Sequence, residues 1–228
     1  MKLLLTIDTA TEKGSVSLST QGILLAEKTS GNQMEHASWI HKAMEEMYAE
    51  TGFHVRDTGI VAVVAGPGSY TGLRVGMATA KGLCFALGIP LITLNTLKVM
   101  AASAQRQLEK PEGYLLCPML DARRNEVFTG IYDEKLEELV PPAPLVLEPD
   151  SLEKWTEKGK LVFFGNGSEK WKAICAYGGA SFAYISYTSQ DIATLAFQKE
   201  TNSDFTDLAY AEPVYLKEFY NNQKKPVT

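Results

Sequence analysis

The chain has 228 residues, 45% of them hydrophobic and 21% charged, with a net charge of −5. That composition suits a globular protein with a substantial core, arranged as one large domain or two small lobes, and excludes a wholly disordered chain. Apart from Lys224-Lys225 there is no Lys/Arg block. A direct nucleic-acid face is therefore not indicated, because such faces neutralise phosphates with basic side chains.

The apolar start, Met1 to Ile7, stops at Asp8. It is too short for a signal core or a membrane span, and a buried strand over Leu3–Thr9 explains it better. A turn at Thr11-Glu12-Lys13-Gly14 leads to a half-buried strand in which Val16 and Leu18 alternate with serines, and Gln21-Gly22 turns into a strand over Ile23–Thr29. Met34, Ala37, Ile40, Met44 and Met47 recur at helical steps, with Gly52 as C-cap. Ile60–Val64 is a fully buried central strand. A glycine-rich junction follows, then a helix over Thr71–Leu87 stopped by Gly88 and Pro90, a strand over Leu91–Leu94 and a helix over Thr96–Glu109.

Lys110-Pro111-Glu112-Gly113 is a breakpoint, and the pattern restarts with strands over Tyr114–Leu120 and Glu126–Tyr132. The Pro-rich run Pro141-Pro142-Ala143-Pro144 reads as a connector to a helix near Ser151–Glu157. A strand over Leu161–Phe164, a turn at Gly165-Asn166-Gly167 and helices over Ser168–Tyr177 and Ile192–Lys199 complete the chain, with disorder expected only in the polar tail from Asn221 to Lys225. The two halves share an outline without a visible sequence repeat. Cys84, Cys117 and Cys175 form no C-x-x-C pair and read as reduced core thiols of a cytosolic protein.

The junction Gly66-Pro67-Gly68-Ser69-Tyr70-Thr71-Gly72 ends a buried strand and opens a helix, where free N–H groups and the helix dipole favour an anion. It is not a P-loop, since Leu73 follows Gly72, and Thr71 stands where G-x-G-x-x-G needs its third glycine. A tight turn is the competing reading. Along the helix, Gly72, Gly76, Ala80 and Cys84 form one stripe of small residues. Each helical glycine costs roughly 1 kcal/mol relative to alanine, and close packing of another helix would offset that. The spacing does not say whether that helix belongs to this chain. His36 and His41 sit five residues apart and cannot chelate one ion from a straight helix, so they read as surface histidines.

Taken together, Asp8-Thr9-Ala10, Gly66 through Gly76, Ala80-Lys81-Gly82-Leu83, Asp121 through Phe128 and Pro213-Val214-Tyr215-Leu216 resemble the TsaB (YeaZ) family, in family order over nearly the whole chain. The resemblance implies an α/β, two-lobed actin/sugar-kinase/Hsp70-like (ASKHA) fold, each lobe a mixed sheet with helices. Residues 1–109 would form the first lobe and 110–228 the second, with the last helix a candidate to return to the first. It also implies a cytoplasmic, non-catalytic subunit of the bacterial machinery that places N6-threonylcarbamoyl on adenosine 37 of tRNAs reading ANN codons. Its partners would be the catalytic paralogue TsaD and the ATPase TsaE, with tRNA reached only through the complex and no membrane contact. Whether the free chain forms a homodimer is left open.

No catalytic residue is carried over. Thr96 and Met100 stand where TsaD has a metal-binding His-x-x-x-His pair, and neither suits a divalent ion. Asp121-Ala122-Arg123 replaces a glycine-rich phosphate turn, and its carboxylate should repel phosphate. The resemblance places the partner interface on two helices, at His36, Trp39, Ile40, Ala43, Met47, Gly72, Val75, Gly76, Thr79, Ala80 and Leu83. Asp8, Thr9, Gly66, Gly68, Ser69 and Arg123 are the candidates for nucleotide contact. No cofactor is expected for the chain alone, with ATP or ADP at the complex interface as the open case. The competing functions are an autonomous ATP-dependent kinase of the same fold and, further off, a glycoprotease-like peptidase; no G-x-S-x-G surrounds Ser69.

Overall fold

A computed structural model describes residues 2–31, 36–109, 113–176 and 178–217. The breakpoint residues Lys110 to Glu112, Met34, Tyr177 and the tail from Asn221 lie outside the described residues.

The first half opens with a meander of β1 (Leu3–Asp8), β2 (Gly14–Thr20) and β3 (Ile23–Ser30). Gln21 and Gly22 both take positive φ, 51° and 74°, the geometry that two-residue hairpins require. Next come α1 (His36–Thr51), β4 (Thr58–Gly66), α2 (Tyr70–Leu87), β5 (Leu91–Asn95) and α3 (Thr96–Gln107). Gly88, at φ 65°, closes α2 in the left-handed conformation. Asn95 caps α3 by accepting from the Leu97 and Lys98 N–H groups. The sheet order is β3-β2-β1-β4-β5, with β1, β4 and β5 parallel.

The second half repeats this plan with β6 (Tyr114–Asp121), β7 (Glu126–Tyr132), β8 (Glu138–Val146), β9 (Lys160–Phe164), α4 (Ser168–Lys172), β10 (Ser181–Phe182) and α5 (Ser189–Thr201). Its order, β10-β9-β6-β7-β8, is the first sheet's order read in reverse, so each half runs a three-strand antiparallel meander and then adds two parallel strands on the other side.

Three expectations change. The Pro-rich run is strand, not connector: Phe128 pairs with Pro144 and Thr129 with Ala143. β8 lies at a sheet edge, where an outward-facing proline forfeits no ladder bond. The helix expected at Ser151–Glu157 is a single 3₁₀ turn, Glu153–Trp155; Leu152 is left-handed at φ 70°, and so short a segment gains too little to nucleate an α-helix. α4 spans only Ser168–Lys172.

One hydrophobic cluster joins both halves through α3, with Ile60 and Ile92 on one side of Leu97 and Met100, and Leu116 and Phe164 on the other. A second lies between the first sheet and α1 with α2, and a third surrounds the fully buried Trp171. Helix α5, late in sequence, packs on the first sheet: Gln190 accepts from the Leu24 N–H and donates to the Gly22 carbonyl. Arg106 of α3 grips Asp191 of α5 with two bonds of 2.8 and 3.1 Å. Burial of Asp191 opposes its ionisation, but Arg106 and the Thr188 N–H and hydroxyl outweigh it and hold the carboxyl below its usual value. A carboxyl depressed in the folded state stabilises fully above its unfolded pKa, and that increment disappears as pH falls through the folded value. Asp191→Asn should therefore lower the thermal midpoint at neutral pH, and the gap from wild type should close below about pH 4. Calorimetric melts across pH 2 to 7 check this.

Candidate functional site

The glycine junction sits where β4 delivers the chain into α2. Gly66 takes φ 120° and is joined to Pro67 by a cis peptide. Ser69 caps α2, its hydroxyl accepting from the Gly72 N–H at 3.2 Å. The end of β1 packs directly on this turn. The Ser69 N–H donates to the Ala10 carbonyl at 2.7 Å, and the Thr9 hydroxyl donates to the Gly72 carbonyl at 2.7 Å. A Cβ at Gly68 would strike the Ala10 carbonyl, one at Gly72 the Thr9 carbonyl, and one at Gly76 the Thr9 hydroxyl. The glycines are thus required by the close approach of this chain's own backbone.

Asp8 is turned inward and only 2% exposed. One carboxylate oxygen accepts from the Ala10 N–H and the other from the Tyr187 hydroxyl, each at 2.8 Å. Burial, and then the Asp8 charge, push the Tyr187 phenol well above its ordinary pKa, so it stays protonated as donor. Asp8 therefore braces the strand-end turn to the segment before α5.

The C-terminal segment closes the other side. The Val214 N–H donates to the Ala65 carbonyl at 2.7 Å, and the Val214 carbonyl fills the space beside Gly66. Arg74 stacks 3.8 Å from the Tyr70 ring centre and donates from Nε to the Tyr215 hydroxyl at 2.9 Å. Lys81 donates to the carbonyls of Ala209 and Ala211, and Lys217 pairs with Glu126 of β7 at 2.6 Å.

Of the nucleotide candidates, the structure brings Asp8, Thr9, Gly68 and Ser69 into one bonded turn, with Gly66 packed against Val214. Arg123 belongs to the other sheet's turn and makes no side-chain bond to the junction among the described residues. There Arg123 and Arg124 both take positive φ, 66° and 52°. Asp121 accepts from the Arg123 N–H at 2.6 Å and from Lys170 at 2.7 Å. Partial burial works against the Asp121 charge, but the Lys170 ammonium and the Arg123 N–H prevail and hold its carboxyl below the usual range. Thr96 and Met100 lie buried in the core shared by the halves, and among the described residues no three His, Cys, Asp or Glu side chains converge as metal ligands.

The interface candidates divide. Ile40, Ala43, Met47, Gly72, Gly76, Thr79 and Ala80 are buried within this chain. Gly72 and Gly76 of the stripe meet Thr9, Ile7 and Val63 on the first sheet's side, whereas Ala80 and Cys84 share a core cluster with α1 residues. Trp39, Val75 and Leu83 are half-buried at the margin, and the side chain of His36 lies outside the described residues. The face that α2 shows to solvent holds Thr71, Arg74, Ala78, Gly82, Phe85 and Ala86, with Val75 at its edge. Phe85 is 84% exposed, and nothing lies within 4 Å of a Cβ at Gly82. Beside it a groove of about 440 Å³ runs between α1 and α2, walled by Met44, Tyr48, Phe53, Val55 and Leu83 with His41 and His54 at its rim. Phe85 went unread in the sequence, and Gly82 was read only as part of a family motif. The available signal was the second small-residue stripe, Thr71, Val75, Ala78 and Gly82, spaced by four, three and four.

Two halves of one strand order, a strand-end Asp turn and a glycine junction between them define a two-lobed α/β protein of the ASKHA class. The family model for TsaD, tRNA N6-adenosine threonylcarbamoyltransferase, matches residues 25–215. The tRNA threonylcarbamoyladenosine biosynthesis protein TsaB of Bacillus subtilis is 32% identical, over 94% of this chain and 98% of its own. That of Escherichia coli is 29% identical, over 94% of each. A Pseudomonas aeruginosa crystal structure, described as an uncharacterized protein with similarity to peptidase YeaZ, superposes with a TM-score of 0.82 at 25% identity, covering 95% of this chain and 100% of that one. The chain belongs to the TsaB (YeaZ) family.

Proposed function

We propose that this chain is a non-catalytic scaffold and activator in tRNA threonylcarbamoyladenosine synthesis, pairing with a TsaD-like catalytic paralogue, with a TsaE-like ATPase completing the complex. The carrying observation is the contrast between the two ends of α2. At the junction, the Cβ positions of Gly66, Gly68 and Gly72 abut Val214, Ala10 and Thr9 of the same chain, so internal packing accounts for these glycines. Along the outward face, Gly82, Ala78 and Phe85 leave small residues and one aromatic knob facing solvent beside an apolar groove. Exposed apolar surface of this kind marks a contact site, and small side chains let a second helix approach closely.

In this reading α1 and α2 dock against the partner's equivalent helices. Any ATP or ADP lies at the joint surface, and tRNA is reached only through the complex. Substituting Gly82→Trp fills open space, so the fold should hold while the partner is displaced. Phe85→Ala should cost about 2 kcal/mol of binding if the ring is an interface anchor. Calorimetric titration with the TsaD-like partner, alongside circular dichroism of each variant, measures both. Wild-type affinity in both folded variants would remove this face from the reading.

A further inference from the structure

A second cavity, of about 490 Å³, shares no lining residue with the α1–α2 groove. It lies where Ala65 and Asn95 end the parallel strands β4 and β5, between the start of α3, the end of α5 and the start of β8. The crevice beyond the carboxyl ends of parallel strands is where open α/β sheets take ligands, and the volume is that of a small-molecule site. Leu94, Leu195 and Val214 give it an apolar lining.

Several of its polar groups are exposed to solvent and have no partner among the described residues. Among the described residues, the Lys98 ammonium and the Glu138 carboxylate form no hydrogen bond or ion pair, and the side-chain amides of Gln198 and Asn202 have no partner either. The remaining charges on the wall, Lys199 and Asp204, satisfy each other at 2.8 Å. One free cation and one free anion thus face a cavity whose wall is neutral overall. A phosphate dianion would leave the Glu138 carboxylate beside an anion and a polyamine would leave the Lys98 ammonium beside a cation, so neither suits it. A ligand carrying both an ammonium and a carboxylate would satisfy both free charges and the two amides at once.

We infer that this cavity binds a small zwitterion of the free α-amino acid class. The inference stands apart from the pairing surface on α2, so either can fail without the other.

Titration of the full chain with a panel of free L-amino acids, L-threonine and L-alanine among them, tests it by heteronuclear NMR. Ethylamine and propionate, the two halves of alanine, serve as controls with inorganic phosphate and AMP. At least one amino acid should give saturable shifts centred on the amides of Lys98, Gln198 and Asn202. Lys98→Ala and Glu138→Ala should each weaken that binding about ten-fold, the scale of one charge-assisted bond. Their unfolding midpoints should be unchanged, since neither side chain bonds to the rest of the protein. The inference is overturned if no amino acid saturates at millimolar concentration, if both variants bind as wild type does, or if the half-molecules, phosphate or AMP bind equally well.

Discussion

Replacing Gly76 by leucine should leave the protein largely unfolded, whereas replacing Gly82 by alanine on the same helix should stabilise it. At Gly76 a new Cβ meets the Thr9 hydroxyl, with Ile7 and Val63 just beyond. Room could come only from displacing Thr9, which would break its bond to the Gly72 carbonyl and move β1 off the helix. Overpacking a filled core costs about 1–3 kcal/mol, and the broken buried bond adds about 1–3 more. That sum approaches the whole stability of an ordinary domain. At Gly82 nothing lies within 4 Å, so alanine should gain about 1 kcal/mol of helix propensity. Chemical denaturation of the two variants decides the matter. Equal stabilities would mean that the small stripe does not pack on β1.

The second large effect concerns Asp8. Removing its carboxylate by Asp8→Ala orphans the buried Ala10 N–H and leaves the part-buried Tyr187 hydroxyl only a long 3.4 Å contact with the Thr11 hydroxyl. Each unsatisfied group costs about 1–3 kcal/mol. Asp8→Asn keeps an acceptor for Ala10 and offers an amide to the phenol oxygen, so the fold should survive nearly intact. The pair of substitutions separates two functions for this residue. If Asp8 is a brace, the asparagine variant supports threonylcarbamoyl transfer by the assembled complex as well as wild type does. If it bound a catalytic metal in an autonomous ATP-dependent enzyme, the same folded variant would lose ATP turnover by the isolated chain.

Much of this architecture was legible because its cause is local. Ile60–Val64 is apolar on both faces and had to be a central strand, and Gly52 and Gly88 end helices as left-handed caps. The failures share a different cause. Pro141, Pro142 and Pro144 are forbidden in a central strand but tolerated at an edge, and edge position is a property of the sheet order, not of the run itself. The four-residue spacing of Gly72 and Gly76 announced close packing correctly, yet the neighbour was Thr9, far away in sequence. Periodicity reports that one side of a helix is small and cannot report what faces it. The outward stripe through Gly82 has nearly the same signature with the opposite exposure. The Asp8–Tyr187 bond and the placement of Val214 beside Gly66 are contacts between opposite ends of the chain, with no local signal at all. The motif residues were found before their roles, which only the tertiary contacts assign.

The most direct test of the scaffold reading is reconstituted threonylcarbamoyl transfer to tRNA by the TsaD-like and TsaE-like partners, with and without this chain. Product should fall to near background when the chain is omitted and return on adding wild-type or Asp8→Asn protein, but not Gly82→Trp. An unchanged yield in its absence would contradict the account.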